Sequence, residues 1–173
     1  HQSEYYLTHP GTKQRLAVYE DHLQHSGLKN AQMSDADYAG FRRIVAKLSA
    51  YQARPQLTIQ ALTGEALTID ERYKRAIAFF RYGDLTSAMQ DIQILLSEEP
   101  ENPYFYELAG ETAFADRNLT SAIIYFDAAF EKSNQAPLIG LRLGRILLAT
   151  GTAENYKRAA KILRIAVIGE PEW

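Results

Sequence analysis

Apolar residues recur along this chain three and four positions apart, the spacing of helix faces, from one end to the other. Leu16, Tyr19 and Leu23 share one face of a helix expected over residues 12–26, with Gly27 just past its end. Ser34 and Asp37, three apart, make a capping box that opens a second helix running to about Tyr51. Tyr38, Phe41, Ile44, Val45, Leu48 and Tyr51 form a broad apolar stripe along it, and Pro55 closes it. Residues 56–68 mix Leu57, Ile59, Leu62 and Leu67 with Thr and Gly, and read as loop with room for one short helical turn. Beyond residue 69 the pattern becomes regular. Ile92, Leu95 and Leu96, then Ile123, Phe126, Ala129 and Phe130, again follow helical spacing. Asp70 is expected to cap the first of these helices and Gly83 to end it in the left-handed conformation that glycine tolerates. Pro100, Pro103 and Pro137 fall between helices, where a missing N–H costs little. Three helical hairpins are therefore expected, at about 70–99, 103–133 and 137–169.

The hairpins repeat one another. Gly110 stands 34 residues after Ala76, Ala122 after Ala88, Phe126 after Ile92 and Ala129 after Leu95. A third copy starts at Leu143 and Gly144, reaches Gly151 and resumes at Tyr156, Ala159, Leu163, Ala166 and Pro171. It keeps register if three residues, about Thr152 to Glu154, are inserted in its inter-helix turn. Two antiparallel helices approach closely where small residues meet, and Ala76 with Ala88, Gly110 with Ala122 and Gly144 with Ala159 supply such pairs. These small, aromatic and proline positions resemble the tetratricopeptide pattern over residues 69–173. The resemblance implies an all-α solenoid of about three stacked hairpins. Residues 12–68 then supply N-terminal capping helices and a linker, covering the apolar side that a solenoid end exposes.

In that repeat type the first helix of each hairpin lines the inner face. The resemblance places there Tyr73, Ile77 and Phe80, then Tyr104, Glu107, Glu111 and Phe114, then Leu138, Leu141, Arg145 and Leu148. This apolar and aromatic surface is a candidate groove for a protein or peptide partner. Two occupants compete for it: a partner segment, or an internal element such as the helix with Phe41 and Leu48 or a further domain. Chaperone-tail binders of this repeat type clamp a terminal carboxylate with Lys, Asn and Arg. The matching positions here are Tyr73, Ile77, Leu108, Leu138 and Arg142, which leaves one cation.

The opening Tyr5-Tyr6-Leu7-Thr8-His9-Pro10, with Arg15-Leu16 after it, resembles a segment of zinc metalloproteases that join an HExxH catalytic domain to C-terminal tetratricopeptide repeats. This is the bacterial family of the beta-barrel assembly-enhancing protease. There a Thr-His-Pro, four variable residues and an Arg mark where the catalytic domain gives way to helices. Thr8, His9, Pro10 and Arg15 reproduce that spacing. Arg72, Tyr73, Arg75 and Ala76, and Glu99-Pro100-Glu101-Asn102-Pro103-Tyr104-Phe105, look like the family's first repeats. The resemblance implies that residues 1–11 are the tail of a catalytic domain lying upstream. It also implies a zinc ion held in that domain, and a periplasmic or membrane-associated setting. On the same likeness His9 lies near the active site of the full protein, and Arg15 faces the catalytic domain. The plain alternatives are a turn histidine and a solvated helix arginine.

Composition narrows the function classes. Of 173 residues, 46% are hydrophobic and 23% charged, as in an ordinary globular chain. The formal charge of −2 offers no electrostatic reason to expect nucleic acid, and no apolar stretch is long enough to span a membrane. Cysteine is absent, which removes thiolate zinc ligands and a Cys nucleophile. No HExxH occurs, nor any histidine pair four apart. His22 and His25, beside Asp21, fall in the last turn of a helix, where cations complement the dipole. Lys157, Arg158, Lys161 and Arg164 read as a solvated face, and Glu98 and Glu99 as surface carboxylates. The chain is thus expected to be non-catalytic and to bind no cofactor of its own. Its expected task is recruiting or positioning protein substrates for a zinc metalloendopeptidase; a free-standing scaffold is the alternative.

Overall fold

The computed structural model describes residues 12–25 and 33–168. Every regular element among them is α-helical. The chain divides into two compact units, residues 1–40 and 41–173. The first holds α1 (Thr12–His25) and the opening turn of α2 (Asp35–Gln52). Leu16, Val18 and Tyr19 of α1 are exposed. The expected cap of α2 is present on one side: the Ser34 hydroxyl accepts from the Asp37 N–H at 3.1 Å and donates to the Asp37 carboxylate at 2.6 Å.

The second unit continues with α3 (Pro55–Ala61), α4 (Ile69–Tyr82), α5 (Leu85–Glu98), α6 (Pro103–Ala115), α7 (Leu119–Lys132), α8 (Pro137–Ala149) and α9 (Ala153–Ile168). The last six pack as three consecutive pairs, and each pair also packs on the next. The first helices begin 34 residues apart, and so do the second helices. Pro55, expected to close α2, instead opens the short helix α3, where its fixed φ suits the first turn.

Caps explain the remaining boundaries. Asp70 was expected to cap α4, but Thr68 does so. Its hydroxyl accepts from the Glu71 N–H, and the Glu71 carboxylate returns to the Thr68 N–H at 2.9 Å. Gly83 ends α4 at φ 92°, as expected. Asp84 and Asn118 cap α5 and α7 through the N–H groups of Ser87 and Ser121, three residues on.

Two of the small positions expected to let helices approach each lie against a large side chain. A Cβ added to Gly110 would stand 2.5 Å from the Phe126 ring, and one on Gly144 would stand 2.5 Å from Leu163. The glycines are sockets for large side chains of the second helix. Ala88, Ala122 and Ala159 of the second helices are fully buried. The third copy's extra residues also sit elsewhere than expected. α9 starts in strict register with α7, so Ala153 to Asn155 form an added helical turn rather than a longer loop.

Two apolar clusters fill the interior. One gathers Tyr73, Ile77, Ile92, Leu95 and Phe105, with the Tyr73 and Phe105 rings 5.0 Å apart. The other gathers Phe126, Phe130, Leu143 and Leu147. A buried charge group ties the first pair together. Asp91 of α5 accepts from Arg72 at 3.0 Å and from Arg75 at 2.7 Å. The same arginines donate to the carbonyls of Leu62, Gly64 and Glu65, pinning the incoming loop. Removing Asp91 would strand two guanidinium groups, so this cluster is costly to break.

The glycine sockets yield a paired prediction. Gly110→Ala should destabilise by about 1–3 kcal/mol through overpacking against Phe126. Gly40→Ala, in α2 with nothing within 4 Å of the added carbon, should stabilise by about 0.5–1 kcal/mol. Urea denaturation of both variants checks the opposite signs.

Candidate functional site

The residues expected on the inner face come together on α4, α6 and α8. The face divides into a covered stretch and an open one. Tyr73 and Ile77 of α4 are buried, at 1% and 0% exposure, because α2 lies over them. Ala46 and Ala50 of α2 are buried in the same cluster as Tyr73 and Ile77. The apolar stripe expected to bury itself is instead exposed: Phe41, Ile44, Val45 and Leu48 all face outward. An internal element does cover part of the face, but with its alanine side.

Charge, more than apolar area, holds α2 there. Arg43, nearly buried, pairs with both Asp70 of α4 and Glu99 at the end of α5. Lys47 donates to Glu107 of α6 at 2.8 Å and lies 5.3 Å over the Tyr104 ring. From below, Arg81 donates to the carbonyls of Ala50 and Ala53 at 2.5 and 2.7 Å and stacks on Tyr51. Burial pushes the Arg43 guanidinium down, yet hydrogen bonds to Glu99 and Asp70 leave its pKa raised. Glu99 is the mirror case: burial works upward, but bonds from Arg43 and Asn102 hold the carboxyl below its usual range. Burial, then the nearby Glu107 carboxylate, raises the Tyr73 and Tyr51 phenols, so both stay neutral donors.

A small cavity of about 190 Å³ remains at the edge of α2, between Lys47, Tyr51, Tyr104, Glu107 and Arg142. Glu111 and Arg142 also border a larger opening of about 490 Å³, walled by Phe80 of α4, Phe114 of α6 and Arg145 and Ile146 of α8. Phe114 is 46% exposed and Tyr104 51%. Leu138, Leu141 and Leu148 of α8 are exposed too. Glu107, expected on the surface, is buried to 8% between Lys47 and Arg142, and Arg142 also pairs with Glu111. Arg142 is thus committed to two carboxylates.

No protein-family model and no curated protein matches this chain.

The other candidate residues lie apart from this face. His9 is outside the described residues, as is the side chain of Arg15. His25 lies 2.8 Å from the Asp21 carbonyl oxygen through Nδ1. Among the described residues no group of three or more His, Asp or Glu could hold a metal ion. No helix among them is long and apolar enough to cross a membrane. In the basic strip of α9, Arg158 pairs with Asp127 of α7. Glu99, read as a surface carboxylate, proves half-buried in the clasp of α2. Its signal in the sequence was faint: an acid directly before Pro100, opposite an arginine in a helix otherwise marked by apolar residues.

Glu99 gives a pH prediction. Its folded pKa lies below the unfolded value near 4.5, so its stabilisation is full above that pH and lost as pH falls through the folded value. Glu99→Gln should cost about 1–2 kcal/mol at pH ~7, and the gap to wild type should narrow as pH falls through the folded value. Paired denaturation curves across that range measure it.

Proposed function

We propose that residues 69–173 form a tetratricopeptide-type array that binds a protein or peptide segment on its inner face, and that this module recruits or positions substrates for a zinc metalloendopeptidase. The observation that carries the binding reading is the open stretch of that face. Three helices, starting 34 residues apart, wall one sizeable opening with Phe80, Phe114 and Ile146, and Phe114, Tyr104 and Leu141 on two of them are exposed to solvent. Half-exposed aromatic rings over an apolar wall are typical anchors for a partner segment. Their exposure contributes nothing to folding, and such a surface is an aggregation hazard unless something uses it.

The link to a peptidase is supported by the spacing of Thr8, His9, Pro10 and Arg15 before the helical region. Zinc and the peptide-cleaving residues would belong to an upstream domain, and this chain by itself would hydrolyse nothing. An HExxH encoded upstream in the same gene is the decisive observation for that link; its absence would leave a free-standing scaffold.

The binding reading predicts that wild-type chain enriches binders from a phage-displayed library of random peptides, with affinities of roughly micromolar order. Tyr104→Ala combined with Phe114→Ala should abolish the enrichment while helical circular dichroism and melting temperature change little. A melting temperature lowered by many degrees, with enrichment per folded molecule unchanged, would show instead that these rings are structural.

A further inference from the structure

We infer that the segment taken by this groove is acidic and apolar together, placing a carboxylate side chain beside a large hydrophobic one; the inference rests on the peptide-binding reading above. The apolar half follows from the opening between Phe80 and Phe114, about 490 Å³ in volume, which is ample for a large side chain. The acidic half follows from the charges around it. Arg142 is already paired with Glu111 and Glu107. Arg145, one turn further along α8, borders the same opening, is exposed, and makes no ion pair among the described residues.

The balance of charge along the face points the same way. Lys47, Arg142 and Arg145 face Glu107 and Glu111, a surplus of one positive charge on a chain whose formal charge is −2. Three kinds of segment can be compared. A wholly apolar one would cover Arg145 and remove it from water without a partner, which is costly. A basic one would meet the same guanidinium unopposed. A carboxylate answers it with charge-assisted, two-pronged hydrogen bonds beside an apolar wall, where such bonds are strongest. The committed pairs of Arg142 hold the neighbouring side chains in place, so little ordering is left for the ligand to impose.

The test reads the composition of the selected peptides. Random peptides of about twelve residues displayed on phage are selected on the whole wild-type chain and, separately, on Arg145→Glu. Circular dichroism verifies that the exposed substitution leaves the fold intact. Wild type should enrich sequences with Asp or Glu within about three positions of Phe, Leu, Ile or Met. Synthetic copies should lose about tenfold in affinity when that acid becomes its amide, and should weaken as salt is raised. Arg145→Glu should shift the enriched sequences to Lys or Arg at the same spacing. A neutral or basic consensus on wild type, or an unchanged consensus on Arg145→Glu, overturns the inference and leaves peptide binding standing. Absence of enrichment over the Tyr104→Ala, Phe114→Ala double variant removes both.

Discussion

The inner face of this protein is organised around one guanidinium group. Arg43 reaches from α2 to Asp70 and Glu99 together, and those two carboxylates belong to the start of one helical pair and its end. Because a buried charge must be matched, this contact fixes both the depth and the rotation of α2. With Arg43 turned inward, Ala46 and Ala50 are buried, Ile44 and Leu48 are exposed, and Phe41 and Val45 stay half exposed beside Asp70, Glu71 and Lys74 of α4. The burial of Tyr73 and Ile77, the place where the open groove begins, and the exposed stripe on α2 all follow from that orientation.

The helix pairs themselves obey a different constraint, that of shape. Gly110 and Gly144 leave room into which Phe126 and Leu163 project from the second helices. A socket for a large side chain specifies register more tightly than two small residues in contact, because sliding by one position drives a ring into backbone. This accounts for the third pair. Its added turn, Ala153 to Asn155, delays the filling residue by nearly one helical turn, and Leu163 occupies the place that Phe126 holds in the second pair.

The regular part of this architecture was legible because it repeats. Glycine and proline punctuation and apolar spacing located the outer bounds of three helix pairs to within a residue. Capping was partly misjudged at α4, where Thr68 with Glu71 satisfies more backbone groups than Asp70 could, and Asp70 is drawn to Arg43. The orientation of α2 was not legible at all. Its apolar stripe is the stronger local signal, and only the distant partners Asp70, Glu99 and Glu107 reveal that the charged and alanine side wins. A pattern along one helix carries no information about a carboxylate fifty residues away. The residues expected on the inner face lie on the first helices of the three pairs, yet Tyr73, Ile77 and Glu107 are buried for the same reason.

The same electrostatics that place α2 also shape what is left open. Lys47 and Arg142 converge on Glu107, and Arg142 continues to Glu111, so a line of alternating charge crosses the face from α2 to α8. Each member before the last has a partner of opposite sign. Arg145 borders the opening beyond the end of that line and makes no ion pair among the described residues. A fully paired line would present only apolar shape to a ligand, and shape discriminates by about 1–3 kcal/mol per methylene. A terminal unpaired charge adds a requirement that a ligand must satisfy or be penalised for ignoring, which is the basis of discrimination between partners. On the proposed reading, the ion pairs that hold α2 over the first part of the face leave Arg145, at its far end, to set the sign of the ligand.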